Sequence, residues 1–117
     1  MFKLYGIDNC DTCRKARKWL IKNKINFQYH DLQRQGINTK TIHKWIKQVG
    51  YETLLNRRST TWRNLPENIK KDIDAISVVN LIVASPTILK RPILERQKII
   101  TFGFTREIQK TIGHAII

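Results

Sequence analysis

The sequence has 117 residues, 41% of them hydrophobic and 26% charged, which excludes intrinsic disorder, and its apolar runs are too short for the roughly 20 residues of a membrane-spanning helix. Its 22 Lys and Arg residues against 9 Asp and Glu leave a net charge of +13; this dispersed charge favours anionic partners or serves solubility alone. Because the first residues lack a secretory signal, we expect one cytoplasmic domain over residues 1–117 with no membrane contact.

The first third of the chain predicts a strand–helix–strand unit. Phe2–Gly6 alternates apolar with polar or small residues and is rich in β-formers, which is typical of a strand. From Asp11 to about Lys24, apolar residues recur every three or four positions, as in an amphipathic helix. Phe27–Asp31 alternates again as a second strand. Two strands joined in this way pair in parallel through a right-handed crossover.

The middle of the chain, at about residues 37–84, predicts a helical insertion. Asn38 is suited to cap a helix that ends near Val49, because a side-chain amide oxygen can accept from the first free backbone N–H groups. The remaining predicted elements are a loop over Asn56–Arg63, a short helix from Leu65-Pro66-Glu67 and a helix over Val78–Ala84 capped by Ser77.

The last third predicts a hairpin and a closing helix. Its elements are a strand over Thr87–Lys90 and Pro92–Leu94, a polar turn over Glu95–Lys98, a partner strand over Lys98–Gly103, and a helix from a Thr105 cap to about Ile112. Residues 1–35 and 86–117 therefore predict an α/β core, with a β-α-β half and a β-β-α half around the insertion.

The two cysteines are Cys10 and Cys13, separated by two residues. A disulfide between them would close almost no loop, so it would not serve stability as the bridges of secreted domains do. A structural zinc site needs about four Cys or His ligands, and the three histidines lie at no ligand-like spacing from this pair. We expect no metal, and redox chemistry is the favoured role.

Cys10 falls where the first strand meets the first helix. The free N–H groups of a helix N-terminus stabilise a thiolate and typically lower a thiol pKa from about 8.5 to between roughly 3.5 and 7.5. Cys13 lies one turn further and is within reach to form a disulfide that releases a mixed intermediate. A small apolar residue on the buried helix face is an equally good interpretation of Cys13.

Lys90-Arg91-Pro92 precedes the predicted hairpin. In a glutaredoxin-like β-α-β/β-β-α domain, this position faces the loop that carries the nucleophile. A cis peptide at Pro92 would expose backbone groups to an extended thiol substrate, and Arg91 would point its guanidinium toward Cys10. A guanidinium there can hold an oxyanion or a carboxylate through two hydrogen bonds.

Three segments together resemble the arsenate reductase family of thioredoxin-like proteins along essentially the whole chain. The segments are Tyr5–Ala16, Leu55–Arg63, and Lys90–Leu94 followed by Gly103-Phe104. The YGI-NCDT opening and the TTWR sequence at Thr60–Arg63 look most like the YffB-type branch, small proteins regarded as glutathione-dependent thiol reductases. The resemblance implies a thioredoxin/glutaredoxin-like core with a helical insertion.

The resemblance also implies roles for individual residues. Cys10 is the nucleophile, Arg91 contacts an oxyanion, and Cys13 joins them as a catalytic residue. Asn9, Arg58 and Pro92 are implied substrate-binding residues. The implied partners are glutathione or glutaredoxin as reductant, with glutathione as a cosubstrate and no tightly bound cofactor, and a small oxyanion or thiol substrate.

This chain departs from the family members that act on arsenate, which use three arginines around the cysteine. Arg91 matches one of them, Asn56 stands at the position of the second, and Arg106 is offset from the third. The departure argues against arsenate as the substrate.

Spx-type regulators are a related branch that carries the same CxxC as a redox switch. They bind RNA polymerase, so the resemblance also implies an alternative function as a redox-sensing transcriptional regulator. The net charge of +13 and the Cys10–Cys13 pair are consistent with it. The Thr60–Arg63 sequence favours the reductase branch.

Overall fold

A computed structural model describes residues 1–116; Ile117, the end of the expected domain 1–117, lies outside the described residues. The elements in chain order are β1 (Phe2–Gly6), α1 (Asp11–Lys22), β2 (Phe27–Asp31), α2 (Leu32–Gln35), α3 (Thr39–Val49), α4 (Tyr51–Leu54), α5 (Thr60–Arg63), α6 (Glu67–Lys71), α7 (Ser77–Ala84), a 3-10 turn (Pro86–Ile88), β3 (Ile93–Arg96), β4 (Ile99–Phe102) and α8 (Arg106–Ala115). Within residues 1–116, no helix is long and apolar enough to span a bilayer.

The strands form one four-stranded sheet in the order β2-β1-β3-β4. The first two strands pair in parallel, and Leu4 lies opposite Tyr29. On its other side, β1 pairs antiparallel with β3, where Leu4 lies opposite Leu94, and β3 continues antiparallel to β4. The predicted parallel strand–helix–strand unit and the antiparallel hairpin are both confirmed, and the fold is α/β.

The chain divides into two compact units. Among the described residues, the first comprises 1–31 and 91–116 and holds the four strands together with α1 and α8. The second comprises residues 32–90 and contains helices and the 3-10 turn. That both units form one domain, with the insertion bounded at about 37 and 84, stays a prediction.

The core of the first unit lies between the sheet and its two long helices. Its buried members are Phe2, Leu4, Ala16, Leu20, Ile25, Leu94 and Ile112. The alternation of β1 puts Phe2 and Leu4 on this face, and the helical spacing of α1 directs Ala16 and Leu20 at them. Trp19 packs against the core from its edge and meets Phe104 with ring centroids 5.6 Å apart. This packing holds the start of α1 at the end of β1.

One strand prediction is wrong. Thr87–Lys90 is not the start of a strand: Pro86–Ile88 forms a 3-10 turn, and β3 begins only at Ile93. The segment was strand-like in sequence because Ile88 and Leu89 are apolar, and both are fully buried. Its pairing is limited to one bridge between Leu55 and Leu89. The turn predicted over residues 95–98 is also shorter, because β3 continues through Arg96.

The helix caps were predicted correctly at two of three positions. Asn38 accepts a hydrogen bond from the backbone of Thr41 at 2.8 Å, and Thr105 accepts one from Ile108 at 3.2 Å. Ser77 is not the cap of α7 but its first residue. The carboxylate of Asp74 accepts from the backbone N–H of Ser77 at 2.7 Å instead, because a carboxylate three residues earlier satisfies the same free donors.

Candidate active site

The loop between β1 and α1 carries Cys10 at the N-cap position of α1. The backbone of Cys10 is extended, and its carbonyl accepts the first intrahelical hydrogen bond from Arg14 at 3.0 Å. Cys10 is partly exposed, whereas Cys13 is fully buried, and both thiols are free. The reactive sulfur therefore lies at the positive end of the helix and is open to solvent.

Burial alone would raise the pKa of Cys10, but three groups outweigh it, so that its pKa lies below the ordinary value of 9.0. The first is the backbone N–H of Cys13, which points its positive end toward the Cys10 sulfur and so favours the thiolate form. The second is the Cys13 thiol, which donates to the Cys10 sulfur. The third is Arg91, through a hydrogen bond and its charge.

Cys13 has the opposite electrostatics. Burial, together with the neighbouring Cys10, raises the pKa of Cys13 to about 12. The backbone of Ile7 and the charge of Arg91 act in the opposite direction, but their effect is smaller. Because the pKa of Cys10 is lowered and that of Cys13 is raised, Cys10 is the first of the two thiols to lose its proton, and the proton of Cys13 is retained. The burial of Cys13 agrees with its interpretation as a small apolar core residue, whereas its role as a resolving thiol stays a prediction.

Gly6 makes room for the Cys13 thiol, a role that sequence reasoning missed. A Cβ atom added at Gly6 would lie 2.9 Å from Sγ of Cys13, closer than any ordinary contact. Gly6 is buried at the end of β1, directly beneath the first turn of α1. The only signal in the sequence is a glycine at the end of the strand that precedes the CxxC.

Asp8 ties the Cys10 loop to neighbouring elements, and sequence reasoning missed it too. Its carboxylate accepts a hydrogen bond from the Tyr29 hydroxyl at 2.7 Å and pairs with Arg17 at 3.8 Å. The Arg17 guanidinium also lies 4.7 Å from the centre of the Tyr29 ring. These contacts hold the loop to β2 and to the second turn of α1.

The other predicted site residues fall in different places. Pro92 is buried and follows a cis peptide bond, as expected from the predicted β-α-β/β-β-α architecture, and its carbonyl accepts from the backbone of Gly103 at 2.9 Å. Asn9 is exposed in the turn immediately before Cys10. Arg58 belongs to the second unit, where its backbone N–H donates to the Asn56 side chain at 3.1 Å. The substrate-binding roles of Asn9, Arg58 and Pro92 stay predictions.

No group of three or more His, Cys, Asp or Glu side chains within residues 1–116 is arranged to hold a metal ion. His30 on the edge strand β2 packs at a tilt against Tyr5 of β1, with ring centroids 4.9 Å apart. What the described residues bring together is a thiol with a lowered pKa, a buried thiol with a raised pKa and a guanidinium. Once deprotonated, the first thiol can attack an electrophilic sulfur, and the guanidinium can stabilise the negative charge that develops.

Comparisons with known proteins find relatives that share the fold of this chain. A solved structure named as the YFFB protein superposes with a TM-score of 0.89 and 37% identity, over 95% of this chain and 97% of that one. A protein related to arsenate reductase from Brucella melitensis has a TM-score of 0.78 and 40% identity, over 94% and 92% of the two chains. The global transcriptional regulator Spx of Streptococcus pyogenes is 28% identical over 92% of this chain and 81% of its own length.

These likenesses confirm the thioredoxin-like fold that the three sequence segments implied. The ArsC family model matches residues 5–112, which include the Cys10 loop, the second unit and the Arg91-Pro92 segment. By this match over nearly its full length, the chain belongs to the ArsC family.

Proposed function

We propose that this protein is a thiol-dependent reductase that uses Cys10 as its nucleophile and glutathione, directly or through glutaredoxin, as its reductant. The observation that carries the proposal is the convergence of the Cys13 amide, the Cys13 thiol and Arg91 on the Cys10 sulfur, which together lower its pKa. Perturbed thiols of this kind cluster at reactive sites. We expect it to work in the cytoplasm, where glutathione keeps such thiols reduced.

The reaction begins when the Cys10 thiolate attacks a sulfur of the substrate disulfide. The disulfide bond breaks, a mixed disulfide with Cys10 forms, and the leaving thiolate takes a proton from water. Arg91 stabilises the negative charge that spreads over the three sulfurs in the transition state. A glutathione thiolate then attacks the mixed disulfide and regenerates Cys10, and a second glutathione completes the two-electron reduction.

External glutathione, rather than Cys13, resolves the mixed disulfide in this scheme. Cys13 is fully buried and its pKa is raised to about 12 by burial, so little thiolate is present to attack. Its proton donates to the Cys10 sulfur instead. Cys13→Ala should therefore retain turnover, with the pKa of Cys10 raised. If Cys13 were instead the resolving thiol, a Cys10–Cys13 disulfide would accumulate in the unchanged protein during turnover and would be visible by mass spectrometry.

Disulfides are favoured over arsenate as substrates. Asn56, at the position of the second arsenate-binding arginine, shapes its own loop: its backbone N–H donates to Ile88 at 2.8 Å and its side chain accepts from Arg58 at 3.1 Å. An amide carries no charge to hold a dianion in place of a guanidinium. Reduction of arsenate at a rate comparable to that of a disulfide would contradict this preference.

The test of the proposal is glutathione-dependent reduction of hydroxyethyl disulfide. Cys10→Ser should abolish turnover. Arg91→Lys keeps the charge but loses the planar fork, and we expect a loss on the order of 10²–10³ in rate. Arg106→Lys, the same substitution at an exposed position of α8, should retain full activity. Equal behaviour of the two lysine variants would remove Arg91 from the site.

A second candidate function is that of a redox-sensing regulator that binds RNA polymerase. The observation that favours it is the similarity to Spx over 92% of this chain, together with the contact between Cys10 and Cys13. The test is whether the protein captures purified RNA polymerase. Capture that differs between the reduced and the oxidised protein would support this function. Disulfide turnover in the absence of any capture would support the reductase.

A further inference from the structure

A shallow groove runs along the outer surface of α1 beside the start of β2. It encloses about 270 Å³ and is lined by Arg14, Arg17, Lys18, Ile21 and Phe27. All five residues belong to the first unit. The groove lies next to the Cys10 loop, since the backbone of Arg14 bonds to the carbonyl of Cys10.

The far end of this groove is apolar. Ile21, in the last turn of α1 and next to Lys22, is 67% exposed. Phe27 lies beside it and is only partly buried. An exposed apolar contact rimmed by polar residues is a common feature of protein interaction sites.

The rest of the groove is basic. Asp11 pairs with Arg14, and Asp8 pairs with Arg17, so these guanidiniums are partly neutralised and fixed in place. Lys18 has no such pairing with a carboxylate among residues 1–116, although it lies between them and Ile21. A ligand with carboxylates would gain its largest new electrostatic contact at Lys18.

We propose that this groove docks an acidic segment of a protein substrate, with an apolar side chain seated at Ile21 and Phe27 and a carboxylate at Lys18. The inference rests on the proposed function, because the docked segment would present its cysteine, joined to glutathione, to Cys10. A second copy of this chain is a less favourable occupant, since each copy carries a net charge of +13 and the two would repel.

The length of such a segment follows from the helix. Lys18 lies eight residues beyond Cys10, or about 12 Å along the axis at 1.5 Å per residue. An extended chain covers about 3.3 Å per residue, so the carboxylate should stand about four residues from the substrate cysteine. The apolar residue at Ile21 should follow one or two residues later.

The chemistry on this substrate is the transfer of its glutathione. The Cys10 thiolate attacks the glutathione sulfur, the bond to the substrate cysteine breaks, and that cysteine leaves as a thiolate that takes a proton from water. A free glutathione then attacks the glutathione held on Cys10. Oxidised glutathione is released, and the Cys10 thiolate is regenerated.

Two synthetic peptides test the docking. Each carries one cysteine joined to glutathione and a leucine six residues away; one has glutamates at the third to fifth positions after the cysteine, and the other has glutamines there. We expect the glutamate peptide to react about tenfold faster at low concentration, with the advantage shrinking as salt is raised. Equal rates for the two peptides would overturn the proposal.

A matched pair of variants locates the effect. Lys18→Glu and Lys15→Glu change the net charge equally on exposed positions of α1, but only Lys18 lines the groove. Lys18→Glu should abolish the preference for glutamate, and Lys15→Glu should keep most of it. Equal losses in both variants would show that general surface charge, not the groove, selects the peptide.

Failure of the docking and failure of the proposed reductase activity give different results. Turnover of hydroxyethyl disulfide by Lys18→Glu should equal that of the unchanged protein, because this small substrate does not reach the groove. If neither the unchanged protein nor Lys18→Glu reduces hydroxyethyl disulfide, the proposed reductase function is wrong. Binding of the two peptides to Cys10→Ser, measured by fluorescence anisotropy, then still supports or overturns the groove.

Discussion

Replacing Gly6 by alanine places a methyl group against the buried thiol that supports Cys10. The new Cβ would lie 2.9 Å from Sγ of Cys13 and 3.2 Å from Cδ2 of Leu4. Both neighbours are fully buried, so neither can move into solvent. The nearest relief is a shift of the Cys13 side chain, and therefore of the S–H group that donates to Cys10.

The expected magnitude has two parts. Overpacking a filled core costs about 1–3 kcal/mol. Exchanging glycine for alanine returns about 0.4–1 kcal/mol, because the unfolded chain becomes less flexible. The net decrease in the free energy of unfolding is then about 1–2 kcal/mol, which for this length lowers Tm by roughly 4 °C per kcal/mol.

The assay combines thermal unfolding with the pH dependence of iodoacetamide labelling. Gly6→Ala should lower Tm and move the labelling midpoint of Cys10 to higher pH. Gly113→Ala is the matched control: this glycine lies in α8, nothing lies within 4 Å of its added Cβ, and the exchange should raise stability by about 0.5–1 kcal/mol.

A double variant separates the clash from other effects. With Cys13→Ala in place, the 2.9 Å contact is gone, so the added cost of Gly6→Ala should fall by about 1 kcal/mol or more. If Gly6→Ala behaves like Gly113→Ala in both assays, no steric clash exists at Gly6. Additive costs of Gly6→Ala and Cys13→Ala would likewise show that the two residues do not clash.

Three further predictions concern protonation and capping. Labelling of Cys10 in the unchanged protein should reach half its maximal rate below pH 9.0, because its pKa is lowered; a midpoint at 9.0 or above contradicts an activated thiol. Burial, with the nearby Glu95, raises the pKa of Tyr5 from 10.0 to about 12, so stability should fall as pH rises through that window. Tyr5→Phe should reduce this fall by up to about 2 kcal/mol in alkaline denaturant titrations. Asn38→Ala removes the bond to Thr41 and should cost about 1 kcal/mol of unfolding free energy, measured in urea, whereas Asn38→Asp should not.

The short elements of the second unit show where local patterns stop being informative. Helices of four residues, such as Tyr51–Leu54 and Thr60–Arg63, are too brief for a 3.6-residue period to be recognised. The second of these lies in a segment whose polar composition predicted a loop. In the structure, the Ser59 side chain caps this helix by accepting a hydrogen bond from the backbone of Trp62 at 3.1 Å. Serine before a helix is a capping signal that is present in the sequence.

Local sequence determined the parts of this protein whose causes are local. Strand alternation at Phe2–Gly6, the helical stripe that includes Ala16 and Leu20, and the cap at Thr105 each depend on neighbours within a few residues, so they could be predicted without a structure. The position of Cys10 before a helix follows from the same patterns. The lowered pKa of Cys10 was in part predictable for that reason.

Tertiary structure alone decided which residues surround the Cys10 sulfur. Arg91 is distant from it along the chain and reaches it because β3 pairs beside β1. The burial that keeps the proton on Cys13, and the close approach that requires glycine at position 6, also depend on packing between α1 and the sheet. Desolvation and charge act through space, so their effect on a pKa is fixed only when the chain has folded.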